Sequence, residues 1–160
     1  MFEQAVGLLP EELLRFDPAD DLEADPSAIF TVGQLLARLE GWGPSTEALA
    51  FLTALDPAGL DRSGRESYLL LVDRHVAWLE ALRLSAVLAV AGLEETEDDV
   101  GREDVALLIG LSPDAAQRRI DTARAVHTRL PVTQDALSRG AISPLHVLAI
   151  SEATEAGIGP

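Results

Sequence analysis

The residues with the strongest claim to chemistry lie between positions 103 and 129. Residues 103–120 read Glu-Asp-Val-Ala-Leu-Leu-Ile-Gly-Leu-Ser-Pro-Asp-Ala-Ala-Gln-Arg-Arg-Ile, the spacing of a helix-turn-helix. Ala106 is small where a second helix must cross closely, and Gly110, four residues on, suits a left-handed turn. Leu111 is placed to plug the core beneath the turn, Ser112 to cap the next helix, and Ala116 to pack back on Ala106. In a DNA reader the exposed N-terminal side of the second helix enters the major groove. Pro113, Asp114, Gln117 and Arg118 would stand there. Gln117 has the donor and acceptor to read adenine and Arg118 to read guanine, while Arg119, Arg124 and Arg129 can approach phosphates. Two features oppose this reading. Arg119 stands where many readers carry an apolar residue, so Ile120 must fill the core. Asp114 repels phosphate, although an acid there suits the helix dipole. The same corner also occurs purely as a packing element.

Other constellations offer less. His75, His127 and His146 do not fall within helical metal-ligand spacing of one another, and each reads as a core-edge or surface residue. The chain has no Cys, which removes thiolate nucleophiles, zinc fingers and iron–sulfur ligands. Gly41-Trp42-Gly43 lacks the third glycine of a phosphate loop, and no nucleophile elbow is present. Trp42 and Trp78 read as core. The expectation is a non-enzymatic chain with no catalytic residue, no metal site and no cofactor.

Charge narrows the partners. Twelve basic residues against 27 acidic ones leave a net −15, which excludes a general nucleic-acid coat. The acidity is local: residues 1–61 hold twelve acids and two Arg, and residues 94–99 are Glu-Glu-Thr-Glu-Asp-Asp. Residues 112–139 reverse the balance, with five Arg against three Asp. No window approaches 18 unbroken apolar residues, so no membrane span is expected, and the acidic start lacks the basic region of a secretory signal. A cytoplasmic location is the default expectation.

These residues must be carried by helices. No period-two strand pattern occurs, so the fold class is all-α: a multi-helix bundle with a long central helix over about 61–93 and the helix-turn-helix-like corner over about 103–129. Thr31 is placed to cap a helix through Glu40, with Val32, Leu35, Leu36 and Leu39 on one face, and Ser45 or Thr46 starts another to about Leu55. The long helix carries Leu71, Val72, His75, Trp78, Leu79, Leu82 and Ala86 at helical spacing, and Arg62–Glu66 and Glu80–Arg83 can pair across a turn. At about 1.5 Å per residue it is a rod of about 45 Å, which needs neighbours to cover it. Four shorter helices follow, over about 102–109, 113–129, 131–139 and 143–155. Pro113, Pro131 and Pro144 stand in first turns, Ser112, Thr133 and Ser143 serve as caps, and Gly140 closes the third. Residues 1–30, with Pro10, Pro18 and Pro26 amid acids, read as a poorly ordered lead-in with a short helix near 11–16. Residues 31–160 read as one helical domain. Ile142, Leu145, Val147 and Leu148 read as an exposed apolar face.

One resemblance emerges from these stretches. Residues 110–126, then Arg129-Leu-Pro-Val-Thr-Gln-Asp-Ala-Leu, then Gly140-Ala-Ile-Ser-Pro-Leu-His-Val and Glu152-Ala-Thr resemble the domain of unknown function 222, also called the 13E12-repeat family, over roughly residues 72–154. The resemblance implies a helical domain common in actinobacteria that usually precedes a C-terminal HNH nuclease module. The nuclease residues do not carry over, because this sequence has no Asn, no Cys and no clustered His. It also stops soon after the Glu-Ala-Thr stretch, so the resemblance implies a truncated or split member. It supplies no catalytic or binding residue that maps onto this chain.

Three expectations follow. The first is a non-catalytic helical domain of an HNH-endonuclease-like protein that contributes DNA contact. The alternative is a protein–protein interaction module, self-associating or docking on a nuclease module. The third is an inactive truncated remnant.

Overall fold

The structure is a computed structural model and describes residues 31–94, 100–155 and 157. The short helix expected near 11–16 and most of the acidic run at 94–99 lie outside the described residues. Among the described residues there are seven α-helices, a single 3-10 turn at Pro57–Gly59, and no strand. The helices are α1 (Val32–Glu40), α2 (Thr46–Ala54), α3 (Arg62–Ala91), α4 (Val100–Ile109), α5 (Pro113–Thr128), α6 (Pro131–Ser138) and α7 (Pro144–Glu155). The chain divides into two compact units, residues 1–75 and 76–160, and the division falls within α3.

In the first unit, Thr31 and Gln34 form a reciprocal capping box at the start of α1, and Ser45 accepts the Ala48 N–H at the start of α2. These caps satisfy amide groups that a helix start leaves without partners. The core joins Leu35, Leu36 and Leu39 of α1, Ala48, Phe51 and Leu52 of α2, and Leu71 of α3. His75 is buried beside it. Its Nδ1 lies 2.7 Å from the Leu71 carbonyl, which can only accept, so Nδ1 carries the proton. Nε2 lies 3.3 Å from the Ser45 N–H and 3.2 Å from the Ser45 carbonyl, tying α3 to the start of α2. His75 is thus a satisfied core histidine. Trp42, by contrast, is 43% exposed, so its expected place in the core does not hold.

In the second unit the core draws Ala77, Ala81, Leu84 and Val87 from α3, Val105 from α4, Ala116, Ile120, Ala123 and Val126 from α5, Leu137 from α6 and Val147 from α7. Here the expected buried stripe is corrected: Leu79, Leu82 and Ala86 are exposed, and the alanine-rich side of α3 faces inward. Ala77, Ala81, Leu84 and Val87 share one core with Ala116, Ile120, Ala123 and Val126 of α5. At Gly101 a Cβ would stand 2.8 Å from the Ala91 Cα and 2.9 Å from the Ala91 carbonyl oxygen, so the first turn of α4 rests directly on the last of α3.

Proline and glycine punctuate this unit as expected. Pro113, Pro131 and Pro144 each open a helix, and Gly92, Gly110 and Gly140 take positive φ after α3, α4 and α6. Thr133 does not cap α6: Leu130 is its N-cap, without a side-chain hydrogen bond. At α7 the Ser143 N–H donates to His146 Nδ1 at 3.3 Å, so His146 fills the role a Glu or Gln plays in a capping box. The paired charges Arg62–Glu66 and Glu80–Arg83 are both present.

Candidate functional site

The expected helix-turn-helix corner is formed by α4 and α5. Gly110 has φ +68°, and the Leu111 N–H reaches back to the Ala106 carbonyl at 2.9 Å, the closing bond of a Schellman turn. Ser112 caps α5 by accepting the Ala115 N–H at 3.3 Å. Ala116 and Ile120 are buried, while Ala106 and Leu111 pack against the same core. Gly110, Leu111 and Ser112 form the turn, and Ala106 and Ala116 pack on the core around it.

The candidate DNA-contacting residues divide differently. Arg118 is exposed, and its guanidinium has no hydrogen-bond or ion-pair partner among the described residues. Arg119 lies between α5 and α3, where Nη1 donates to Glu80 Oε1 at 2.6 Å. The same Glu80 carboxylate also pairs with Arg83, and its side chain is 12% exposed. Arg124 turns toward the end of α3, donating to the Gly92 carbonyl at 3.3 Å and the Glu94 carbonyl at 2.9 Å. Carbonyls past a helix end lack intrahelical donors, so Arg124 acts as a side-chain cap for α3. Gln117 donates to Asp121 Oδ1 at 2.8 Å, one turn along the same helix. Arg129 is exposed at the C-terminal end of α5, away from the groove-reading turn. Arg119 and Arg124 thus hold the fold together.

Beside the corner lies a groove of about 410 Å³ between α3, α5 and α7. Leu84 and Val147 form its floor, and Leu111, Ala115, Leu145 and Leu148 its walls. Arg83, Arg118 and Arg119 with Glu80 and Glu152 supply its charged edges. Leu145 is 77% exposed and Leu148 is 43% exposed. The apolar face expected over 142–148 is corrected in part: Val147 is buried, and Ile142 packs on the core. Only Leu145 and Leu148 remain outward, and both line the groove. The sequence pairs Glu80 with Arg83 but gives no sign of its bond to Arg119, and it gives neither Glu80 nor Glu152 a place at a site. The available signal for Glu80 was its place beside Ala81 and Leu84, where an acid needs a cation to be tolerated.

Among the described residues there is no group of three or more His, Asp or Glu side chains able to hold a metal ion. No described helix is long and apolar enough to cross a membrane.

No curated protein and no solved structure matches the chain. A family model, described as the domain of unknown function (DUF222), matches residues 72–158. That stretch takes in the end of α3, the α4–α5 corner and the whole groove. It is more than half of the 160 residues, so the chain belongs to the DUF222 family.

Proposed function

We propose that this chain is the non-catalytic helical domain of an HNH-endonuclease-like protein, and that it works by docking a protein surface in the α3–α5–α7 groove. The nuclease setting rests on the family resemblance. The docking role rests on one observation: an apolar groove whose walls leave Leu145 and Leu148 in water, in a chain of net charge −15. Apolar concavities with a few placed charges suit protein or peptide anchors, whereas phosphate tracking needs a positive surface.

The test is a displayed library of amphipathic helical peptides selected on the purified chain. Selected peptides are expected to lose at least about tenfold in affinity, or about 1.4 kcal/mol, for Leu148→Asp. Leu107→Asp changes an exposed leucine outside the groove and is expected to leave binding unchanged. Peptides that bind Leu148→Asp as well as wild type would overturn the reading.

A second reading keeps the DNA contact. It is favoured by the intact helix-turn-helix geometry and the outward Arg118. Titration with duplex DNA at about 20 mM salt separates the two, because each phosphate contact adds about one unit to the salt slope. Binding by wild type that Arg118→Ala weakens would establish DNA contact in place of docking.

A further inference from the structure

Charges of opposite sign line the groove on two of its helices. Arg118 stands on α5 and Glu152 on α7, and neither side chain has a hydrogen-bond or ion-pair partner among the described residues. Leu145 and Leu148 are exposed on the same α7 edge as Glu152. We propose that the occupant of the groove is a second copy of this chain, packed about a two-fold axis with α7 against α7.

A two-fold interface brings the same patch of each copy together, so residue i of one meets residue j of the other and the reverse holds as well. A patch bearing only arginines would repel itself under that symmetry. A patch with a cation on one edge and an anion on the other complements itself, and pairs Arg118 of each copy with Glu152 of the other. Leu145 and Leu148 then leave water against the apolar walls of the opposing groove, which supplies the association that ion pairs at a rim do not. The pairs fix register and exclude other arrangements. Net −15 on each copy opposes any loose association, so only a geometry that aligns these local opposite charges is favoured. This inference rests on the docking reading above and names its partner.

Charge exchange tests it. Wild type, Arg118→Glu, Glu152→Arg and an equimolar mixture of the two variants are compared by sedimentation from about 10 µM to about 1 mM, with circular dichroism confirming the helical content of each. Under the two-fold arrangement, Arg118→Glu sets its new carboxylate against Glu152 of the other copy. Glu152→Arg sets its new guanidinium against Arg118 of the other copy. Each variant alone is expected to dissociate at least about tenfold more readily than wild type. The mixture is expected to recover wild-type association, because both cross-pairs then join opposite charges. Leu145→Ser, at an exposed position, is expected to be monomeric whatever its charges.

A wild-type chain that stays monomeric to about 1 mM overturns the proposal, as does a mixture no better associated than its components. Association of every variant at wild-type strength places the contact elsewhere and overturns it too. If the chain is monomeric while selected peptides still lose affinity for Leu148→Asp, the docking reading stands and the second copy falls.

Discussion

Removing Arg119 should cost folding stability rather than DNA affinity. Its guanidinium bonds Glu80 at 2.6 Å, and the two side chains are 28% and 12% exposed. Breaking a fully buried pair costs about 3–5 kcal/mol, and an exposed pair contributes only about 0.2–1 kcal/mol. The Arg119–Glu80 pair lies between those limits, and Glu80 keeps Arg83 when Arg119 is gone. Arg119→Ala also removes the aliphatic stem that lies along the groove. The expected loss is therefore about 1–2 kcal/mol, which for a chain of this size lowers Tm by roughly 2–8 °C. Urea unfolding followed by circular dichroism measures it. A double-mutant cycle with Glu80→Gln should show a coupling of about 1 kcal/mol, because the two residues share one contact. The reasoning fails if Arg119→Ala unfolds within about 0.5 kcal/mol of wild type. It fails decisively if that variant also loses an affinity for duplex DNA that wild type possesses.

Three glycines should respond for different reasons. Gly101→Ala gains up to about 1 kcal/mol of helix propensity but drives a methyl into the Ala91 backbone, which has no flexible end to move aside, so a net loss of about 1–2 kcal/mol is expected. Gly33→Ala, whose nearest obstacle is 4.0 Å away, should be neutral or stabilising in the same thermal melt. Gly110→Ala meets nothing within 4 Å, so its cost is backbone strain alone, about 1–2 kcal/mol. Gly110→Asn should recover part of that loss in urea unfolding, because asparagine tolerates the left-handed conformation better.

Helix ends were the most legible part of this chain. Pro113, Pro131, Pro144, Gly110, Gly140, Thr31, Ser45 and Ser112 act through local backbone chemistry, so their effects lie within a few residues of themselves. The face that α3 buries was less legible. Leu79 and Leu82 are larger and more apolar than Ala77 and Ala81, yet the alanines go inside, in one cluster with Ala116, Ile120, Ala123 and Val126 of α5. Large residues mark burial only when the partner leaves room. The helix-turn-helix corner could be read from spacing, whereas the roles of its arginines could not. Arg119 finds Glu80 39 residues away and Arg124 finds Gly92 32 residues away, and nothing local reveals such partners. The groove was hidden for the same reason, since it needs α3, α5 and α7 together.

The cap that Arg124 places on α3 also sets an order of events during synthesis. The carbonyl it satisfies at Gly92 leaves the ribosome 32 residues before Arg124 does. At about 5–20 residues per second, the end of α3 waits about 2–6 s for its donor. The first unit contains its whole core within residues 1–75 and can consolidate during that interval. The alanine-rich side of α3 meanwhile lacks α5. A nascent chain held at this length presents to chaperones an apolar surface that the finished protein conceals.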